Sequence, residues 1–309
     1  MKVIYMGTPD FAVGALEKII EAGHEVVCVV TQPDKPKGRS AELVPPPVKV
    51  CATEHGIPVL QPVKLRSGEY YDQLRAYGAD VFVVAAFGQI LTKEVLDMPK
   101  YGCVNIHASL LPKYRGAAPI QWSILNGDEY TGVTIQQMNE GVDTGDILSV
   151  VKVKIESDDT ADTLFDKLES AGAKLITECL DGLEKGTIVP VKQDESQATH
   201  VGKLSKEYGK MDFEKPATTL ERMVRGLNSW PSAYTFLGGK QLKIWKAEVV
   251  DEAANCEPGA VAQVGKDYFD IQTGEGLLRV LEVQLEGKKR MPAGDFLRGV
   301  KLQINDLVK

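Results

Sequence analysis

The sequence predicts an α/β chain in two parts, a doubly wound parallel-sheet domain followed by a smaller β-barrel or sandwich. Three observations carry that reading. In the first part, short runs rich in Val and Ile ("KVIYM", "EVVCVVT", "ADVFVVAAF", "GCVNIH", "GVTIQQM", "ILSVVKVKI") are separated by helical patterns. Such alternation suggests parallel βαβ units in a sheet covered on both faces. After Gly186 the periodicity breaks into the polar stretch "TIVPVKQDESQATHVGKLSKEYGK", which reads as an interdomain connection. Beyond it, strands and turns dominate, with a Gly-Gly turn between two alternating runs in "AYTFLGGKQLKIWKAEVV" as a hairpin signal.

Each element follows from a local pattern. The first strand is followed by a helix through Leu16 and Ile20. From Thr160 to Leu183 the residues Leu164, Leu168, Ala171, Leu175, Cys179 and Leu183 recur at three- or four-residue spacing, the stripe of a helix that packs on the sheet. The expected domains are residues 1–188, a linker over 189–206, and residues 207–309. In the last of these, "TTLERMVRGLN" is a short helix and "GAVAQV", "YFDIQT" and "GLLRVLEVQLEG" are strands.

Composition narrows the function classes. A chain of 309 residues is long for one domain and can bury a large core. Its net charge of −7 argues against bulk nonspecific binding of nucleic acid, although an average hides local patches. From Glu207 to Lys309 the 15 Lys and Arg balance the 15 Asp and Glu, so that third is neutral. The five cysteines (Cys28, Cys51, Cys103, Cys179, Cys256) form no CxxC pair and no cluster at metal-ligand spacing, and most read as buried small hydrophobes. No apolar run is long enough for a membrane span, and the chain enters its first strand with no signal-type segment. A cytoplasmic location without membrane contact is expected.

The loop "GTPDFAVG" lies where a dinucleotide-binding protein carries GxGxxG. Two of the three glycines are missing, which disfavours a nicotinamide oxidoreductase. The stretch "GCVNIHASLLPKYRGAAPI" is more informative. Asn105 and His107 are two apart in a strand and share a face, at the carboxyl end, where ligands bind in open α/β sheets. A satisfied core histidine beside a turn-closing asparagine explains the spacing equally well. The loop after them, with Leu110, Leu111, a proline and Arg115-Gly116 ahead of a helix near Pro119, resembles a pocket wall more than a connector. In "NEGVDTGDIL", Asp143 and Asp146 stand among glycines. A carboxylate there either bonds its own backbone or orients the histidine and stabilises its protonated form.

The segment "NIHASLLPKYRGAAPIQWSILNGDEYTGVTIQQMNEGVDTGDIL" resembles the core signature of the folate-dependent formyltransferases. "MGTPDFAV", "TQPDKPKGR", "KLSKE", "LNSWPSAYTFLGGKQLKIWKA" and "GKKRMPAGDFLRG" extend the likeness over nearly the whole chain. They narrow it to the branch acting on initiator tRNA, the methionyl-tRNA formyltransferases. The resemblance implies a Rossmann-like catalytic domain and a C-terminal β-barrel, OB-like, that binds tRNA. It implies transfer of the formyl group of 10-formyltetrahydrofolate to the α-amino group of methionyl initiator tRNA in translation initiation.

By the same resemblance Asn105, His107 and Asp143 are the catalytic set. Amine attack builds negative charge on the formyl oxygen, to which the Asn105 amide and a His107 N–H are suited donors, and Asp143 would hold His107. Ser109, Leu110, Leu111 and Pro112 are implied to line the folate site, with Phe87, Gly88, Gln89, Ile90 and Leu91 against the pterin. Arg39, in the loop "TQPDKPKGRSAELVPPPVK", matches the arginine that enters the tRNA acceptor end. Ser40-Ala41-Glu42 departs from the lysines often found there, which leaves Lys35 and Lys37 to supply the charge. Lys203, Lys206, Lys210, Lys288, Lys289 and Arg290 are the expected phosphate contacts. A monomer is expected, and no metal. The competing classes are glycinamide ribonucleotide or sugar-nucleotide formyltransferases, a formyltetrahydrofolate hydrolase, and a catalytically silent RNA-binding module. The C-terminal motifs disfavour the glycinamide ribonucleotide enzyme, and the intact triplet disfavours the silent module.

Overall fold

The central strands of the first sheet have sequences that are apolar without alternation, because both faces of the sheet are covered there. The structure, a computed structural model, describes residues 1–37, 42–252 and 254–309. These divide into two compact units: 1–119 with 130–154 and 165–201, and 120–129 with 155–164 and 202–309.

In the first unit seven strands, β1 (Lys2–Gly7), β2 (Glu25–Val30), β3 (Val59–Leu60), β4 (Val81–Ala85), β5 (Cys103–His107), β6 (Tyr130–Gln137) and β7 (Ile147–Lys154), form one sheet in the order β7-β6-β5-β4-β1-β2-β3. The five strands from β3 to β5 run parallel. Val3, Ile4, Tyr5 and Met6 on β1, and all of β4, are buried, as expected for central strands with both faces packed.

The sequence reading that takes "GVTIQQM" and "ILSVVKVKI" as parallel strands needs correcting. They are β6 and β7, which pair antiparallel with each other, and β6 also runs antiparallel to β5. The connection over 138–146 is too short for a crossover, which takes a dozen residues or more. It is a hairpin loop, and Asp143 sits in it.

Helix α1 (Val13–Glu21) buries Ala15, Leu16 and Ile19; α2 (Pro47–Glu54), α3 (Tyr71–Ala76), α4 (Lys93–Leu96) and α5 (Pro119–Leu125) follow. The helix expected over 160–183 is α6 (Ala161–Lys185), with Leu164, Leu168, Leu175 and Cys179 buried along one stripe. Within the first unit the polar stretch after Gly186 is bound to the sheet domain. Val191 forms an antiparallel bridge to Ile147, Glu195–Gln197 make a 3-10 turn, and His200–Val201 pair in parallel with Arg115–Gly116.

The second unit carries β8 (Ala233–Leu237), β9 (Lys240–Val250), β10 (Val261–Val264), β11 (Phe269–Gln272), β12 (Leu277–Leu285) and β13 (Met291–Pro292), with helices α7 (Ala217–Gly226) and α8 (Ala293–Gly299). The sheet is antiparallel, in the order β8-β9-β12-β11-β10, with β13 on β12. The β8–β9 hairpin turns through Gly238 and Gly239, both at positive φ, as a two-residue primed turn requires. The core of this unit joins Phe213, Leu220, Val224, Ile244, Phe269 and Phe296. Among the described residues no helix is long and apolar enough to cross a membrane, and no group of three or more His, Cys, Asp and Glu could hold a metal ion.

Candidate functional site

At the carboxyl end of β5, Asn105 faces Gln136 and His107 faces Thr134 across the antiparallel ladder to β6. Residues directly opposite in such a ladder project to the same side, so Asn105, His107, Gln136 and Thr134 form one polar patch on an otherwise apolar sheet. His107 is buried and Asn105 half-buried. The Asn105 carboxamide has no hydrogen-bond partner among the described residues.

Both ring nitrogens of His107 have neighbours. Nε2 lies 3.0 Å from the carbonyl oxygen of Tyr114. A carbonyl only accepts, so the proton is on Nε2 and donates to it. Nδ1 faces Asp143 Oδ1 at 3.6 Å, beyond hydrogen-bond length. The Tyr114 carbonyl is aimed there by a backbone at φ +60°, and Asp143 too has a positive φ, +53°. Such values are uncommon for residues other than glycine and persist only where the surroundings enforce them.

Those surroundings can be named. Asp143 Oδ2 accepts from the N–H of Gly116 at 2.8 Å, and Oδ1 accepts from Gln136 Nε2 at 2.8 Å. The Asp143 carbonyl accepts from Gln193 Nε2 at 2.8 Å, and the same nitrogen donates to Gly145 O at 2.7 Å. Gln193 Oε1 accepts from Arg115 Nε at 3.0 Å and Nη2 at 2.8 Å. Arg115, 2% exposed, continues to Glu195 through Nη1 at 2.9 Å and Nη2 at 2.7 Å. This ion pair raises the guanidinium pKa further and holds the Glu195 carboxyl below its usual range. Gly116, at φ +104°, admits no side chain, since a Cβ would meet the Val201 carbonyl oxygen at 2.4 Å.

The loop after His107 is pinned from behind. Thr134 Oγ1 donates to the Ser109 carbonyl at 2.7 Å and accepts from Leu111 N–H at 3.1 Å. Ser109, whose Oγ donates to the Lys113 carbonyl at 2.6 Å, is buried, as is Leu111, whereas Leu110 and Pro112 are half-buried. In the segment expected to meet a pterin, Phe87 and Leu91 are core residues. Gln89 is held by Leu65 N–H and the Pro62 carbonyl, both at 2.8 Å. Gly88 and Ile90 are exposed, Ile90 at 73%. Apart from the bonded Gln89, the residues expected to line a folate site that are accessible to solvent are therefore Gly88, Ile90, Leu110 and Pro112.

Arg39 and its neighbours Ser40 and Ala41 lie outside the described residues. The loop that carries them leaves and returns through a short hairpin of Lys35–Lys37 and Glu42–Val44. Lys35 is exposed, and at the base of the hairpin Asp34 pairs with Lys49 at 2.8 Å. In the second unit Lys203, Lys206, Lys210, Lys288 and Lys289 are exposed and form no ion pair among the described residues. Arg290 is exposed but committed, to Glu282 at 2.7 and 2.6 Å and to the Trp245 ring at 4.8 Å. Asp146 contributes only its carbonyl, which accepts from Gln137 N–H at 2.8 Å.

Sequence reasoning missed Gln136, Gln193 and Glu195, and gave Arg115 no role. Gln136 was legible in principle as a polar residue amid an apolar strand. Gln193 and Glu195 carry no local signal, since they act across a sequence separation that only the fold closes.

Residues 1–180 match the family described as "Formyl transferase", and residues 203–301 match "Formyl transferase, C-terminal domain". A curated relative from Lachnospira eligens, named methionyl-tRNA formyltransferase, is 58% identical over 308 residues, covering 98% of both chains. One of the same name from Agathobacter rectalis is 56% identical over 303 residues, again 98% of both. Among solved structures, an N-formyltransferase from Helicobacter canadensis, in complex with folinic acid and dTDP-3-aminofucose, superposes with a TM-score of 0.69. It is 20% identical, over 94% of this chain and all of its own, and that likeness concerns the fold.

Proposed function

Since the chain belongs to the formyl transferase family, we propose that this enzyme moves the formyl group of 10-formyltetrahydrofolate to the α-amino group of methionyl initiator tRNA. The observation that carries the chemistry is the Asn105 carboxamide, without a partner beside buried His107, with Asp143 at 3.6 Å from the imidazole. The acceptor rests on the near full-length similarity to relatives named for it.

The bound folate would supply an activated formyl group on nitrogen, and the protein supplies the environment. As the amine attacks, a carbon–nitrogen bond forms, the bond to the folate nitrogen breaks, and negative charge develops on the formyl oxygen in between. Asn105 Nδ2 donates to that oxygen without first giving up a partner. His107 Nε2 becomes a second donor by exchanging the Tyr114 carbonyl for the formyl oxygen. A donor that is free and fixed before the reaction, as Asn105 is, costs no reorganisation at the moment of reaction, whereas His107 gives up one bond to make another. Asp143 places a carboxyl oxygen 3.6 Å from Nδ1, which orients the ring as oxyanion character grows. The amine loses one proton and the departing folate nitrogen gains one, so the exchange balances without a covalent enzyme intermediate.

Gly88, Ile90, Leu110 and Pro112 are the residues that would frame the donor, with buried Ser109 and Leu111 behind them. Phe87, Gln89 and Leu91 support them from beneath. The exposed Lys203, Lys206, Lys210, Lys288 and Lys289, with Arg39, would contact tRNA phosphates. Arg290 would instead shape the surface around Trp245.

The test is formyl transfer from 10-formyltetrahydrofolate to methionyl initiator tRNA, beside uncharged tRNA, methionyl elongator tRNA and glycinamide ribonucleotide. Formylation of charged initiator alone, lost in His107→Ala, supports the reading. Folate hydrolysis with no acceptor formylated would sink it.

A further inference from the structure

We infer that Gln193 is a positioning residue for Asp143, with buried Arg115 as its anchor, so that the stretch joining the sheet domain to the rest of the chain is part of the catalytic apparatus. The inference rests on the proposed role of Asp143 beside His107.

Asp143 has to be held on three sides, because its backbone lies at φ +53° in a loop with glycines at 141 and 145. Its carboxylate is fixed by Gly116 N–H and Gln136 Nε2, both at 2.8 Å. Those bonds orient the oxygens, and Asp146 O, accepting from Gln137 N–H at 2.8 Å, ties the end of the loop, but none of them holds the Asp143 backbone itself. Gln193 supplies what they do not. Its Nε2 donates to the carbonyls on both sides of the loop's last turn, Asp143 O at 2.8 Å and Gly145 O at 2.7 Å.

An amide places those two donors only if its oxygen is fixed, and the Arg115 fork fixes it at 3.0 and 2.8 Å. Arg115 belongs to the loop that presents Tyr114 O to His107 and Gly116 N–H to Asp143. One buried guanidinium therefore ties the histidine's loop to the aspartate's loop through a single glutamine. Backbone bonds beside it complete the strap: Arg115 N–H to Thr199 O at 2.8 Å and Ala117 N–H to Val201 O at 3.0 Å. A glutamine suits this position because it both accepts and donates. A carboxylate in its place would keep the arginine and lose both donors.

Gln193→Glu is therefore expected to lower kcat by roughly 10-fold to 100-fold, the cost of a misplaced catalytic group. KM for folate and for tRNA should change little, whereas the melting temperature falls with the two buried bonds lost, so kcat is read per folded molecule. A merely structural glutamine would lower stability and leave kcat per folded molecule intact. The decisive readout is a double-mutant cycle with Asp143→Asn, by single-turnover formyl transfer with enzyme in excess. If Gln193 acts through Asp143, adding Gln193→Glu to Asp143→Asn costs less than about 2-fold further. An undiminished additional loss would overturn the inference, as would wild-type kcat in Gln193→Glu while Asp143→Asn is crippled. Full activity in Asp143→Asn would overturn this inference and the reading of the site together. Should Gln193→Glu fold poorly, Glu195→Gln, whose side chain is 70% exposed, loosens the same arginine from its solvent side. It is expected to lower kcat in the same direction, and an unchanged kcat there would count against the strap.

Discussion

His107 Nε2 is bonded to the carbonyl of Tyr114 at 3.0 Å, so the histidine is already occupied while the Asn105 carboxamide is not. As the proposed oxyanion donors, the two therefore have different tasks. Asn105→Ala should lower kcat on the order of 100-fold or more, the usual cost of one oxyanion donor, with KM for folate nearly unchanged. His107→Ala removes both the second donor and the group facing Asp143, so its loss should exceed that of Asn105→Ala. Single-turnover rates of the two variants and their double mutant check the order.

Gly145 is the tightest backbone position in the site. A Cβ there would lie 1.6 Å from the Gln137 carbonyl oxygen, which no side-chain rotation relieves. Gly145→Ala must displace the Asp143 loop or the end of β6, and is expected to cost about 2–4 kcal/mol of stability, the range of steric strain in a packed site. Urea unfolding measures it. Gly186→Ala, where φ is +67° but nothing lies within 4 Å of the added carbon, should cost about 1–2 kcal/mol, the backbone strain alone.

The basic residues of the second unit divide by what already holds them. Lys288→Ala with Lys289→Ala should raise KM for tRNA and flatten its salt dependence, by about one unit of slope for each phosphate the protein no longer neutralises, with stability unchanged. Arg290→Ala should also destabilise the unit, because it removes the interactions with Glu282 and Trp245. Salt titrations of tRNA binding beside thermal melts separate the two effects.

The cysteines offer a check on packing. Burial pushes the thiols of Cys28 and Cys51 up to about 11 and that of Cys179 to about 12, while Cys103 rises further. Only Cys256 is half-buried. Alkylation of the native protein at mildly alkaline pH should label Cys256 first and the other four only on unfolding, as peptide mass mapping would report.

Glu169 gives a pH signature. Desolvation by burial raises its carboxyl, partly offset by the Gly14 N–H it accepts at 3.1 Å. A carboxyl raised in the folded state takes up its proton there before the unfolded chain does, so stability falls as pH rises through that interval. Glu169→Gln keeps an acceptor for Gly14 and removes the charge. It should stabilise at neutral pH, by under about 1 kcal/mol given solvent screening, and the gain should vanish below the ordinary glutamate pKa. Thermal melts across pH 3 to 8 test the sign.

What the sequence determined by itself is the set of elements and the chemistry-bearing residues within them. Apolar runs without alternation announced the central parallel strands. The stripe from Leu164 to Cys179 announced α6, and the polar pair Asn105 and His107 marked the end of β5. These are short-range patterns, written in spacings of two, three and four residues that backbone geometry converts directly into shared faces. The tertiary structure decided what such spacings do not encode. It reversed β6 and β7 into a hairpin, set Gln136 against Asp143, turned His107 Nε2 toward Tyr114, and brought Gln193 and Glu195 to Arg115 from nearly eighty positions away. Hydrogen bonds of that kind leave no trace in local periodicity, since their partners are chosen by where the chain returns and by the need to satisfy buried polar groups. The sequence thus named the candidate residues of the site, and the fold chose those that hold them in place.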